Sequence, residues 1–142
     1  LISLCRVGMR KVSGSSGARP CARRMKNRSS SWASSERAVS RLWSPDRRAV
    51  VVTCGADGCW YGDSETHESP RHLPAPKVNV VDTTGCGDVF HGAYCAGLAE
   101  GKNVDQCVRL ASAAAALKAT REGGQAGIPR RDVVEQFLAG WK

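Results

Sequence analysis

The stretch Val81-Asp82-Thr83-Thr84-Gly85-Cys86-Gly87-Asp88-Val89-Phe90-His91-Gly92-Ala93 decides how this chain of 142 residues folds. The residues before it, 77–81, are mostly β-branched and predict a buried strand. The residues after it place apolar side chains at helical spacing from Val89 to Leu98, so a helix should begin between Cys86 and Asp88. A strand therefore passes into a helix through a short glycine-containing turn.

That turn has the composition of a phosphate-binding site. Glycines let the backbone approach a ligand closely, and the N–H groups at a helix start converge where the helix dipole is positive. Asp88 lies in the same first turn of the predicted helix. Its carboxylate could cap the helix or act as a base beside a bound phosphate. The residues alone leave both interpretations open.

The stretch resembles the second signature of the ribokinase-like (PfkB-type) carbohydrate kinases, Asp-Thr-x-Gly-Ala-Gly-Asp-x-Phe-x-x-Gly. The resemblance extends over residues 49–138, which correspond to the C-terminal part of a family member. It implies an α/β chain: a C-terminal fragment of a three-layer α/β/α fold in residues 49–142, preceded by a separate segment in residues 1–48. Cys86 stands where alanine is usual, and the matched positions are Asp82, Thr83, Gly85, Gly87, Asp88, Phe90 and Gly92.

The activity implied by this resemblance is ATP-dependent phosphorylation of a sugar hydroxyl, with Mg²⁺ on the phosphates. Asp88 would contact the sugar substrate and take its proton as the catalytic base. The N–H groups of Gly85, Cys86 and Gly87 would form an anion hole for the transferring phosphoryl group. The partners are then a sugar and a nucleotide, and a full-length relative could be a homodimer. An inactive kinase remnant is an alternative.

A second glycine motif lies upstream. The apolar run that starts at Ala49 ends in Thr-x-Gly-x-x-Gly, which predicts strand, tight turn and strand. A simple hairpin is one interpretation, and the resemblance implies that the same turn borders the nucleotide. It also places Ser112 at the adenine pocket, although a serine there equally suits a helix interface. The implied nucleotide contacts are Thr53, Gly55, Gly58, Gly87 and Ser112.

The last third of the chain predicts two more helices and a loop. Asn103 and Gln106 form a capping-box pattern before an alanine-rich helix that reaches Ala119. A glycine-rich loop, residues 120–129, separates it from a final helix. The resemblance implies that backbone oxygens of this loop and of the turn hold a monovalent cation, K⁺. Those oxygens belong to Asp82, Thr84, Lys118, Arg121, Gly123 and Gly127.

The first 48 residues have a different composition. They hold twelve Lys or Arg against two acidic residues, a formal charge of +10, whereas the remaining 94 residues carry −2. They are serine-rich and lack a sustained apolar period, so they are predicted to be disordered or, as the product of a frameshift, non-native. A transit peptide, a membrane-surface tail or a nucleic-acid-binding segment would share this composition. The alternative to a kinase is a basic nucleic-acid-binding protein that binds through residues 1–48. If the chain is a kinase, at most non-specific binding to nucleic acid is expected.

The seven cysteines show no metal-ligand spacing. Their odd number, without a signal-like apolar segment or a membrane-length apolar run, predicts reduced thiols and a cytoplasmic protein without a membrane partner. Only Cys86 has a position that could make it reactive, because a helix N-terminus lowers a thiol pKa. A small residue in place of alanine is the favoured interpretation.

Overall fold

The structure, a computed structural model, describes residues 2–5, 10–11, 28–64 and 69–141. Two units are distinguished: Leu1–Cys54 with Trp60–His72, and Gly55–Cys59 with Leu73–Lys142.

The first unit is built on a five-stranded sheet with the order β2-β1-β3-β4-β5. Strand β1 runs antiparallel to both β2 and β3, with Ile2 opposite Val52 and Cys5 opposite Ala49. The valines of β3 are buried, and β3 is an inner strand of the sheet, between β1 and β4. The strands are β1 (Ile2–Cys5), β2 (Arg10–Lys11), β3 (Ala49–Thr53), β4 (Cys59–Asp63) and β5 (Arg71–Leu73).

One helix, α1 (Arg28–Leu42), covers one face of β3. Val50 and Val52 point to the same side of the strand because side chains alternate, and Val39 of α1 packs against them. The predicted strand–turn–strand order from Ala49 onward is confirmed by β3, the 3₁₀ helix Gly55–Asp57 and β4.

Helix α1 limits the expectation that residues 1–48 lack structure. The segment contains α1 and the short strands β1 and β2. Val39 of α1 is buried against β3, and this packing partner cannot be recognised from the local periodicity of the segment. For residues 1, 6–9 and 12–27 the expectation lies outside the described residues. The alternative that residues 1–48 bind nucleic acid also concerns mostly residues that are not described.

The second unit contains three helices: α2 (Cys86–Ala99), α3 (Val104–Ala119) and α4 (Arg131–Gly140). The predicted capping box of α3 is confirmed: the Gln106 N–H donates to Asn103 Oδ1 at 2.9 Å, and the Asn103 N–H donates to Gln106 Oε1 at 3.1 Å. Within the described ranges, no helix is both long and apolar enough to cross a membrane.

Helices α2 and α3 pack closely because small residues face each other. A Cβ on Gly97 would lie 3.0 Å from Cys107 Sγ, so no larger residue fits there without movement. Leu110, Ala113 and Ala114 of α3 form a core with Val134 of α4. The side chains packed against this core are Val89, Ala93, Leu117, Phe137 and Leu138.

The predicted buried strand at residues 77–81 is wrong. These residues have no strand assignment, and Val80 and Val81 are 57% and 53% exposed. A strand exists only through hydrogen bonds to a neighbouring strand, and within the described residues no strand pairs with this segment. Its anchor is the carbonyl of Ala119, which accepts from the N–H groups of Val81 at 2.7 Å and Asp82 at 3.1 Å.

Candidate active site

The turn before α2 contains a left-handed glycine directly before the start of the helix. Gly85 has φ 76°, a left-handed conformation that favours glycine, and α2 starts at the next residue. The Cys86 N–H donates to Thr83 O at 3.2 Å. The N–H groups of Gly87 and Asp88 belong to the first turn, where a helix has no internal partners for its donors. They are therefore the donors best placed for an anion.

Asp88 is exposed at this helix start. Among the residues that the structure describes, none forms a hydrogen bond or an ion pair with its carboxylate. A capping carboxylate would accept a backbone N–H, so the geometry favours a carboxylate free to act on a ligand. His91, one turn further on, has Nδ1 2.6 Å from Gly87 O.

A groove of about 700 Å³ runs from this helix start along α2. Asp88 contributes a carboxylate to its wall, which is otherwise largely apolar. The α2 residues follow one helical face, and α3, α4 and the loop before α4 complete the wall. The lining residues are Thr84, Gly85, Asp88, Val89, Gly92, Ala93, Ala96, Leu110, Ala114, Gly124, Gln125, Ile128, Pro129, Arg131 and Val134.

Asp82 organises the turn from the other side. Its Oδ1 accepts the Thr84 N–H at 2.8 Å, and its Oδ2 accepts the Gly123 N–H at 3.0 Å and lies 3.2 Å from Lys118 Nζ. The Thr84 backbone N–H, then the Thr84 side chain, then Lys118 hold the pKa of Asp82 well below its ordinary value. Asp82 therefore remains a carboxylate that ties the turn to the glycine-rich loop.

The residues predicted to hold a monovalent cation come together, but a side chain lies among them. Lys118 is fully buried, and its ammonium donates to the Asp82 carbonyl at 3.0 Å. The position of a Cβ on Gly127 is 2.8 Å from Gly123 O, 3.3 Å from Arg121 O and 3.2 Å from Lys118 Cε. The sequence predicted only the Lys118 carbonyl as a ligand of the cation and did not predict the position of the Lys118 ammonium. The available signal was a lysine inside an alanine-rich helix.

The predicted nucleotide contacts fall in both units. Gly55 and Gly58 belong to the second unit, as do Gly87 and Ser112, whereas Thr53 ends β3 in the first. Gly58 has φ +90°, and a Cβ there would lie 2.0 Å from Leu73 O. Ser112 is 7% exposed within α3 and is not one of the described residues that line the groove.

Cys86 has the properties of a packing residue. Its thiol lies 3.9 Å from Asp82 O, and burial raises its pKa, the nearby Lys118 charge opposing that effect only in part. A raised pKa leaves the thiol protonated near neutral pH. This environment favours a small residue in place of alanine over a nucleophile.

The chain is similar in sequence to a known family of enzymes. The pattern of the pfkB family carbohydrate kinases matches residues 22–131. A ribokinase from Lactococcus lactis is 40% identical over 89 residues, which cover 63% of this chain and 29% of that protein. The match to the family begins before residue 49, where the resemblance was expected to start.

Two solved structures share the fold. Arabidopsis thaliana ribokinase in complex with ribose and ATP has a TM-score of 0.58 and 35% identity over 64% of this chain and 29% of its own. An E. coli protein described as a ribokinase II, in complex with ATP and Mg²⁺, has a TM-score of 0.65 and 30% identity over 73% and 33%.

The chain thus spans about a third of the length of these relatives. The predicted fold class, a partial α/β ribokinase-like fold, is confirmed by these matches. With most of its length matched, the chain belongs to the pfkB family of carbohydrate kinases.

Proposed function

We propose that this chain is the catalytic-base part of a kinase that transfers the γ-phosphoryl group of ATP to a sugar hydroxyl. One observation carries the proposal: an exposed carboxylate, Asp88, stands at a helix start whose N–H groups suit a phosphate. Relatives complexed with ribose and ATP, and with ATP and Mg²⁺, support the two substrates.

The first step belongs to Asp88. A carboxylate beside the acceptor hydroxyl accepts its proton while the oxygen attacks the γ-phosphorus. The bond between that phosphorus and the bridging oxygen breaks, and ADP leaves. Asp88 suits this step because its side chain is exposed and lies on the same helical turn as the phosphate-binding donors.

The charge of the transferring group is held by the backbone. The Gly87 and Asp88 N–H groups lie in the first turn of α2, at the positive terminus of the helix, and need no reorganisation during the reaction. Gly85 is the further donor that the resemblance implies. Cys86 contributes less, because its N–H is already bonded to Thr83 O. The anion hole is therefore centred on the first turn of α2.

The nucleotide contacts remain those implied by the resemblance. Gly55 and Gly58 would let the backbone approach ATP, and the resemblance adds Thr53 and Ser112 as nucleotide contacts. Mg²⁺ commonly binds through substrate phosphates and few carboxylates, so it would enter with ATP. The predicted cytoplasmic location stays a proposal, and the thiols of Cys54 and Cys86, which form no disulfide, suit a reducing compartment.

The test is a chimera in which residues 49–142 replace the matching part of the Lactococcus lactis ribokinase. Asp88→Asn should lower kcat about 10²-fold or more, because the general base is lost, while ATP binding stays near that of the parent chimera. Coupled ADP detection and calorimetric ATP titration measure the two quantities.

The matched control is Asp132→Asn, the same change in the first turn of α4. Asp132 is an exposed partner of Arg130, and its loss should leave kcat unchanged. Near-normal turnover of the Asp88 variant would leave Asp88 without a catalytic role and would sink the proposed mechanism.

A further inference from the structure

Lys118 is a buried cation in the last turn of α3, after an alanine-rich stretch of that helix. Its side chain is 0% exposed, and its sequence neighbours include the buried alanines 116 and 119. A buried ammonium is costly unless oxygens replace its hydration shell. Asp82 supplies two such oxygens: its carbonyl at 3.0 Å and Oδ2 at 3.2 Å from the ammonium.

Further oxygens lie beside the same side chain. Gly127 approaches Lys118 Cε, Gly123 O and Arg121 O so closely that a methyl group there would meet all three within 3.3 Å. The Gly123 N–H also donates to Asp82 Oδ2. The Lys118 ammonium therefore binds the Asp82 carbonyl, one of the oxygens that the resemblance assigns to a monovalent cation.

We propose that the Lys118 ammonium is a built-in cation that replaces a bound K⁺ between the turn at residues 82–85 and the loop at residues 120–129. An ammonium and K⁺ have the same charge and both are stabilised by carbonyl and carboxylate oxygens. A second cation in the same space would be repelled by the first and would lose the oxygens that the lysine already uses. The residues present therefore do not fit a bound K⁺.

The tethered cation has a consequence for the turn before α2. Asp82 Oδ1 holds the Thr84 N–H, next to Gly85, so a fixed charge on Lys118 fixes the carboxylate that orients the turn. Lys118 is thus a positioning residue, not a catalytic one. The turn keeps its geometry whatever the monovalent salt.

The inference deepens the proposed function and rests on it for its bearing on turnover. Binding and melting measurements need no turnover, so their failure can be told apart from failure of the kinase reaction. The purified 142-residue chain is titrated with Tl⁺, a K⁺ substitute seen by ²⁰⁵Tl NMR. It is also melted in KCl and in tetramethylammonium chloride at one ionic strength of about 0.1 M.

The natural chain should show no saturable Tl⁺ binding and the same Tm in both salts. Lys118→Ala empties the space and leaves the oxygens, so its Tm should fall in tetramethylammonium chloride. K⁺ at about ten times its Kd should restore about 4–8 °C by mass action. Lys102→Ala removes a half-exposed lysine paired with Glu100 and should show no K⁺ response.

Saturable Tl⁺ binding by the natural chain would overturn the proposal, and this measurement needs no variant to fold. A folded Lys118→Ala chain that gains no response to K⁺ would also overturn it, because the oxygens would then not form a cation site.

Discussion

The two ends of α2 are tied to distant parts of the second unit by ion pairs of very different character. At the start, Asp82 pairs with Lys118, whose side chain is 0% exposed. At the end, Glu100 pairs with Arg131, and these side chains are 39% and 40% exposed. Both pairs join residues more than 30 positions apart.

Burial decides what each pair contributes. The exposed pair has good geometry, with Arg131 donating to both Glu100 oxygens at 2.6 and 2.7 Å, yet water and salt weaken such contacts. The buried pair is less ideal in geometry, but without Asp82 the fully buried Lys118 ammonium would lose the two oxygens that stabilise it. The start of α2, where the chemistry is proposed, is therefore the end that tolerates change least.

The largest effect on folding is expected for Lys118→Met, which removes the charge and keeps most of the volume. Asp82 would lose its buried partner but keep its two N–H donors and 24% exposure. The free energy of unfolding should fall by about 2–4 kcal/mol, somewhat below the range for a fully buried pair. Urea denaturation of the 142-residue chain measures it, and a loss under 0.5 kcal/mol, on the scale of ordinary surface changes, would break the comparison.

Gly127→Ala should disturb the same end of α2 through packing. The added Cβ would lie 2.8 Å from Gly123 O, so the loop must move, at a cost of about 1–3 kcal/mol. Gly124→Ala is the matched control, because its Cβ would meet no atom within 4 Å, and it should change stability by less than about 0.5 kcal/mol. Equal losses in the two variants would show that the loop is not tightly packed around Lys118.

At the exposed end, Arg131→Met should lower the free energy of unfolding by only about 0.5–1 kcal/mol. The loss comprises contacts with Glu100 and Glu135 and should shrink in high salt. The Lys118→Met loss should hardly respond to salt, since a buried pair is screened less. Denaturation midpoints at low and high NaCl compare the two, and an opposite ranking would contradict the burial argument.

The smallest expected effect is a pH dependence at Glu100. Hydrogen bonds from Arg131, then from Lys102, lower the pKa of Glu100 from 4.5 to about 2. A lowered pKa in the folded state stabilises the fold fully above the ordinary pKa, and that contribution is lost as the pH falls from 4.5 towards 2. Glu100→Gln should therefore flatten part of the acid limb of a stability-versus-pH curve. An unchanged limb would mean that the pair is not formed in solution.

The features that could be predicted from the amino-acid sequence are those whose interactions are local. Helix α2 begins at Cys86 as predicted, and α3 begins after the capping box of Asn103 and Gln106. Helical hydrogen bonds and caps join residues three or four positions apart, so a short window contains both partners. The left-handed Gly85 before Asp88 follows from the same local information.

Tertiary structure decided the features that need distant partners. Residues 77–81 have the composition of a strand, but a strand takes its hydrogen bonds from a neighbour, and composition does not say whether that neighbour is present. Lys118 looked like one polar residue in a helix, because its burial depends on Asp82, 36 positions earlier, and on the loop around Gly127. Helix α1 likewise was not predicted from the sequence, because its buried residue Val39 packs on β3, which follows it in the chain. Local patterns specify the conformation of a segment. Whether a charge is buried, and whether a segment pairs as a strand, depends on partners that are distant in the sequence.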